Sequence, residues 1–289
     1  MKGKIGIIGG SGFYNIEGLK NVRSLKVSTP FGKPSDDFVT GTLEGKEVVF
    51  LARHGKGHSV LPSEINYRAN IYGMKKLGVD SIISVSACGS LRKEMKPLDI
   101  VVPDQYVDRT NQARQMTFFG AGIVAHVAFA EPVCGELSKV LYDSGRSLGI
   151  SMHLGGTYIN MEGPQFSTKA ESEMYRAWGM DIIAMSNMAE AKLAREAEIC
   201  FATLACVTDY DCWYLNESVE SVSVDLIIQN LSKNIDNAKK ILSMALKGMS
   251  DNKHCACSRA LENAILTDPK FIPVNTKKRL KLIIGKYIK

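Results

Sequence analysis

Short apolar runs alternate with helical patterns from one end of this 289-residue chain to the other, and that alternation leaves few architectures open. KIGIIG, EVVFLAR, SIISVSA, DIVVP, TYINM, DIIAM and FATLACV each end at Gly, Pro or polar residues. Unbroken apolar runs of this length are strands buried on both faces. Helical periodicity falls between them, at about 63–77, 134–148, 168–178, 188–199 and 223–247. Strands and helices in that order call for a central, largely parallel sheet with helices on both sides. Glu44-Gly45 predicts a hairpin turn between GTL and KEVVFL. Asn187 followed by Glu190 predicts a capping box on the fourth helix. No repeat or linker interrupts the pattern. The reading is one α/β domain over 1–249 with a C-terminal extension over 250–289, packed on the core or on a neighbouring subunit.

The net charge of +6 lies in that extension, which holds nine Lys/Arg against three Asp/Glu; the remainder balances at 27 of each sign. A neutral body without a zinc-finger or RNP-type motif gives no reason to expect a nucleic-acid partner. No run approaches the roughly 20 apolar residues that cross a bilayer, so no membrane partner is expected. The opening MKGKIGIIGG lacks a signal peptide's cleavage region, and a cytoplasmic location is expected. The lysine-rich KKRLKLIIGKYIK reads as an amphipathic segment packing on the body or a neighbour.

Seven cysteines are scattered through the chain, an odd count that does not suit a secreted disulfide framework. Cys255 and Cys257 stand one residue apart and follow His254. A disulfide, free thiols and a metal shared with His254 are the three readings. Zinc takes four ligands and only three lie in this stretch, so no metal is expected.

Five strand ends offer chemistry. GIIGGSG, after the first strand, brings glycines that let a ligand approach the backbone, and Ser11 adds a hydroxyl. Its spacing is not that of the dinucleotide fingerprint, and it lacks the Gly-Lys-Ser/Thr of a P-loop. Arg53 and His54 close the second strand, an Arg fork and an imidazole donor suited to phosphate. Ser86, Ala87 and Gly89 end the third with small residues whose backbone and hydroxyls can meet the same anion. Met185 and Ser186 follow DIIAM. Asp209 and Asp211, two residues apart after FATLACV, can turn into one cleft, and no nearby His or third carboxylate completes a metal shell around them.

The ordered set GIIGGSG, TPFGKPSD, LARHG, ACGSLR, DQYVDRT, EGPQFST, MSNMAE and TDYDCW resembles the methylthioadenosine phosphorylase branch of the trimeric purine nucleoside phosphorylase family, over about residues 3–248. The resemblance implies a single α/β domain with a mixed central sheet flanked by helices. It implies phosphate held by Ser11, Arg53, His54, Ser86, the Ala87 backbone and Ser186. Met185 would lie on the ribose, Asp209 would face N7 of the purine, Asp211 its 6-amino group, and Phe166 the base. His126 would reach in from a neighbouring subunit, which implies a homotrimer or a hexamer built as a dimer of trimers. The family usually has Pro where Ala189 stands and Thr where Ser11, Ser86 or Ser186 stands; the hydroxyls are kept.

The implied reaction is phosphorolysis of 5′-methylthioadenosine to adenine and 5-methylthioribose 1-phosphate, with phosphate as co-substrate and no cofactor. Catalysis would rest on Asp209, Asp211 and Ser186. Two aspartates favour a 6-amino donor over a 6-oxo acceptor. Val224 and Ile227 make the start of the long helix apolar, where 5′-hydroxyl-specific relatives place a His, and this suits a methylthio group. Methylthioinosine or another purine nucleoside remains an alternative substrate. A dinucleotide-dependent oxidoreductase and a non-catalytic nucleoside-binding protein are the readings from other classes.

Overall fold

The structure is a computed structural model that describes residues 3–10, 16–111, 114–214, 224–250 and 255–288, with the backbone alone over 224–228. Its elements run β1 (Lys4–Gly9), β2 (Lys20–Leu25), β3 (Phe38–Leu43), β4 (Lys46–Ala52), α1 (Tyr67–Lys76), β5 (Val79–Ser90), β6 (Ile100–Val102) and β7 (Gln105–Arg109). They continue with α2 (Gly135–Ser147), β8 (Met152–Leu154), β9 (Thr157–Met161), α3 (Lys169–Ala177), β10 (Ile182–Ala184), α4 (Asn187–Glu196) and β11 (Cys200–Asp209). The long α5 (Val224–Gly248) and the terminal α6 (Val274–Ile284) complete the set.

The sheet is mixed. β4, β1, β5 and β11 run parallel, β3 joins β4 antiparallel and β2 joins β3 antiparallel, and β10 meets β5 antiparallel while running parallel to β9. Along the buried strands, alternate side chains serve opposite faces. Ile8, Val49, Leu51, Ile82 and Phe201 pack in one apolar cluster with residues of α1 and α4. Ile7, Val48, Phe50, Ile83 and Ala202 pack in the other with residues of α2 and α5. Such a side chain contributes about 1.5–3 kcal/mol on full burial. The Glu44-Gly45 turn has both residues at positive φ (49° and 73°), the conformation that matches a two-residue hairpin to strand twist.

Residues 255–288 are part of this packing. Leu261, Ala264, Ile272, Leu280, Ile283 and Ile284 are buried in the same cluster as α1 and α4. A bridge between Ala125 and Ile265 and the hydrogen bond from His126 N to Ala264 O (2.8 Å) tie them to the loop before α2.

β5 sets the position of the site. It pairs β1 only as far as Ser84 and takes up β10 only from Gly89, while β11 accompanies its other edge throughout. Between those points one edge of β5 is released by one neighbour before the next arrives. This is the kind of topological switch at which open α/β sheets leave a ligand crevice.

Candidate active site

Arg53 is the first residue past β4, and its backbone N–H is fixed on Gly9 O (2.9 Å). Its guanidinium lies under the released edge of β5, only 3% exposed. Nε and Nη2 form a fork on Glu190 (2.5 and 3.1 Å), Nη2 reaches Ser84 Oγ (2.5 Å) and Nη1 reaches Val85 O (3.1 Å). Burial works against the charge, but the Glu190 carboxylate outweighs it, and the pKa stays above the ordinary arginine value. One of the two Nη1 hydrogens remains beyond these four contacts.

Glu190 anchors a buried polar network. Ser84 Oγ donates to Glu190 Oε2 (2.7 Å), Asn187 Nδ2 donates to Ser84 Oγ (2.7 Å) and Thr203 Oγ1 (3.1 Å), and Tyr158 Oη donates to Asn187 Oδ1 (2.9 Å). Asn187 and Glu190 therefore do not form the capping box expected from their spacing. Ser186 is the N-cap of α4, its side chain makes no capping bond, and the two residues expected to cap it face into the core instead. Ser186 is itself buried at the positive end of the helix, a placement that suits an anion.

His54 stacks on His58 with ring centroids 4.3 Å apart and places Nδ1 2.8 Å from Val60 O. A carbonyl only accepts, so the proton sits on Nδ1. Burial and the Arg53 charge lower the pKa to about 4, which leaves the ring neutral near pH 7. The neutral ring therefore offers an acceptor at Nε2, and not the donor expected from its sequence position. Ser86 is buried, and its Oγ donates to Ala87 O (3.1 Å).

The second half of the site is built on the end of β11. After a register shift between Val207 and Asp209, Asp209 stands opposite Gly89 of β5. α5 pins this end, with Asn230 Nδ2 on Thr208 O (2.8 Å) and Asn234 Nδ2 on Val207 O (2.9 Å). Asp209 Oδ2 accepts from Thr208 Oγ1 and Oδ1 from Asp211 N (both 2.7 Å). Asp211 adopts φ 51°, a left-handed conformation that Asp tolerates better than most residues. Its Oδ2 is buried without a hydrogen-bond partner among the described residues. Burial raises the pKa of both carboxyls. A Cβ on Gly89 would stand 3.0 Å from Asp209 Oδ1 and 3.4 Å from Asp211 Cβ, so glycine gives the pair its room.

A profile of the phosphorylase superfamily matches residues 4–247. The chain belongs to the phosphorylase superfamily. It is 57% identical to the S-methyl-5′-thioadenosine phosphorylase of Geobacter sulfurreducens over the whole of both chains. It is 53% identical to that of Thermosynechococcus vestitus, again over both full lengths. Among solved structures, a methylthioadenosine phosphorylase from an Antarctic soil metagenomic library superimposes with a TM-score of 0.92 at 50% identity, covering 98% of this chain and 99% of that one. The methylthioadenosine phosphorylase of Schistosoma mansoni, solved with adenine, follows at 0.84 and 37%, covering 90% of this chain and 96% of that one.

In this superfamily member the remaining expected residues fall into three groups. Met185 lies next to Ser186, and its carbonyl is held by Arg114 Nη1 (2.5 Å). Arg114 in turn binds Glu162 through Nε on Oε1 (3.0 Å) and Nη2 on the backbone O (2.6 Å). Phe166 is half-exposed, one residue before Ser167, whose carbonyl accepts from the Cys212 thiol (3.3 Å). His126 is exposed and lines a separate cleft with Arg114, Thr117, Lys192 and Glu196, so this chain does not bring it to its own aspartates. Ser11 and the side chains of Val224 and Ile227 lie outside the described residues. Sequence reasoning missed Glu190, Arg114 and Glu162 as site supports. Glu162 carried a signal, since it opens the EGPQFST segment.

Proposed function

We propose that this chain cleaves 5′-methylthioadenosine with inorganic phosphate, giving adenine and 5-methylthioribose 1-phosphate. The observation that carries the reading is Asp211 Oδ2, a buried acceptor with no hydrogen-bond partner among the described residues, beside a second buried aspartate and next to the β5 switch. A 6-aminopurine brings the N–H that this oxygen lacks, whereas a 6-oxopurine would set acceptor against acceptor. The full-length similarity to methylthioadenosine phosphorylases supports the 5′-methylthio preference.

The chemistry follows from the two halves of the site. Breaking the bond between C1′ and the purine leaves a cation-like ribosyl group and pushes electrons into the base. Asp209, its pKa raised by burial, hydrogen-bonds N7 and delivers a proton there as the bond lengthens. Phosphate lies on the other side of the sugar, in reach of Arg53, Ser86, the Ala87 backbone and the α4 terminus at Ser186. Its charge stabilises the cation, and one of its oxygens then bonds to C1′. His54 accepts a hydrogen bond from a protonated phosphate oxygen, the role left to a ring protonated on Nδ1. Every step uses these residues and the two substrates, and none calls for a cofactor.

In this reading three chains assemble, and His126 of each enters the 5′ end of a neighbour's pocket. Its exposure in the single chain supports that placement. No helix among the described residues is long and apolar enough to cross a membrane.

The test is a phosphate-dependent cleavage assay on methylthioadenosine, methylthioinosine, adenosine and inosine, with light scattering for the assembly. A strong preference for methylthioadenosine is expected. Preference for methylthioinosine would overturn the roles given to Asp209 and Asp211.

A further inference from the structure

The fold gathers four cysteines that the sequence separates. The sulfurs of Cys134, Cys200, Cys255 and Cys257 all lie within 4.8 Å of one another, and none is in a disulfide. Cys200 Sγ and Cys255 Sγ are 3.3 Å apart. Four sulfurs around one zinc ion, with Zn–S bonds of about 2.3 Å, stand about 3.8 Å from each other along every edge of the tetrahedron. The cluster already has that size.

Its support comes from three parts of the fold. Cys134 is the N-cap of α2, and its backbone N–H is fixed on Phe201 O of β11 (2.8 Å). Cys200 is the first residue of β11. Cys255 caps the short 3-10 turn Ala256–Arg259, which contains Cys257. Cys134, Cys200 and Cys257 are buried, with Cys255 at the edge of a cavity of about 90 Å³ that gives an ion a way in. Cys134 stands at the positive end of α2, a position that favours a thiolate. The donor set is sulfur alone, which selects zinc over magnesium, calcium or manganese.

We propose that Cys134, Cys200, Cys255 and Cys257 bind one zinc ion in a closed tetrathiolate site. The three-ligand count made from the local sequence, which led to the expectation of no metal, is superseded because Cys134 and Cys200 complete the shell. With no position open to solvent or substrate, the ion serves structure: it clamps the start of the C-terminal extension to α2 and β11.

The experiment is metal analysis of the full-length protein purified under reducing conditions without chelator. One zinc per chain is expected, released by a mercurial that titrates thiols. Cys257→Ser should lower the retained zinc at least ten-fold, while Cys206→Ser, a buried cysteine outside the cluster, keeps it. Cobalt loaded into the unsubstituted apo protein should give the visible bands of tetrahedral thiolate coordination, a readout that needs no variant to fold. Seven titratable thiols with no bound metal would overturn the site, as would a mass short by the hydrogens of two disulfides. Iron in place of zinc would overturn the assignment of the ion. None of these readings depends on activity, so the site and the proposed reaction fail separately.

Discussion

Arg53 and Glu190 meet as a two-pronged ion pair, 137 residues apart in the chain and both essentially buried. Removing one partner of such a pair leaves a stranded charge and typically costs about 3–5 kcal/mol. Glu190→Ala should lower stability by that order and raise the KM for phosphate, because the guanidinium would lose its aim along with its partner. Urea denaturation and phosphate titration of the initial rate measure the two effects. A normal phosphate KM in a folded Glu190→Ala protein would separate Arg53 from phosphate binding.

Asp209→Ala should keep the fold and lose adenine release by about 10²–10⁴-fold, the range of a general acid. Circular dichroism checks the first part and a spectrophotometric adenine assay the second. Full activity would remove Asp209 from the leaving-group role.

Asp211→Asn changes an acceptor into a group that can also donate, in a backbone conformation Asn tolerates. The ratio of kcat/KM for methylthioadenosine to that for methylthioinosine should fall by about ten-fold or more, since one polar contact is exchanged for another. An unchanged ratio would place the 6-substituent elsewhere.

Gly89→Ala tests the room around the carboxyls. The added methyl would press on Asp209 Oδ1 at 3.0 Å and on Ile183 at 3.2 Å, both tighter than ordinary contact. A carboxyl displaced by a few tenths of an ångström should lower kcat about ten-fold or more while leaving phosphate binding intact. Single-turnover rates and phosphate protection against heat distinguish these effects.

Glu196 gives a pH-dependence with a defined sign. Burial raises its pKa to about 7, against hydrogen bonds from Thr117 Oγ1 (2.6 Å) and Phe118 N (2.7 Å) that lower it. The folded protein therefore holds this proton more tightly than the unfolded chain does. Its contribution is complete below about pH 4.5 and is lost as pH rises to about 7. Glu196→Gln removes that loss, so the variant should gain on the unsubstituted protein as pH rises from 5 to 8, by up to about 3 kcal/mol. Thermal melts of both proteins across that range give the difference; a gap independent of pH would refute the raised pKa.

The parts of the fold that were legible in sequence are those whose signal is local. β1, β4, β5 and β11 announce themselves as unbroken apolar runs because both of their faces are buried. β2 gives no such signal, since KNVRSL is exposed along its whole length and, among the described residues, pairs only with β3. The strand ends bearing Arg53, Ser86, Ser186 and Asp209 were found from small, polar or charged residues after apolar runs. Their supports were not, because Glu190, Arg114 and Glu162 act through contacts tens of residues distant. The spacing of Asn187 and Glu190 fits a helix cap and an inward-facing pair equally well, and only the tertiary structure chooses between them. The same holds for Cys134 and Cys200, which have no sequence relation to Cys255 and Cys257.

The burial of Leu261, Ile272, Leu280 and Ile284 against α1 and α4 carries a consequence for biosynthesis. A domain folds on the ribosome once its residues have emerged. Here the apolar surface of α1 and α4 that this tail buries stays uncovered until residues 261–284 leave the exit tunnel, after every described strand has been made. The nascent chain therefore spends the last stretch of translation with that apolar face open, and it is in this interval that chaperones have most to hold.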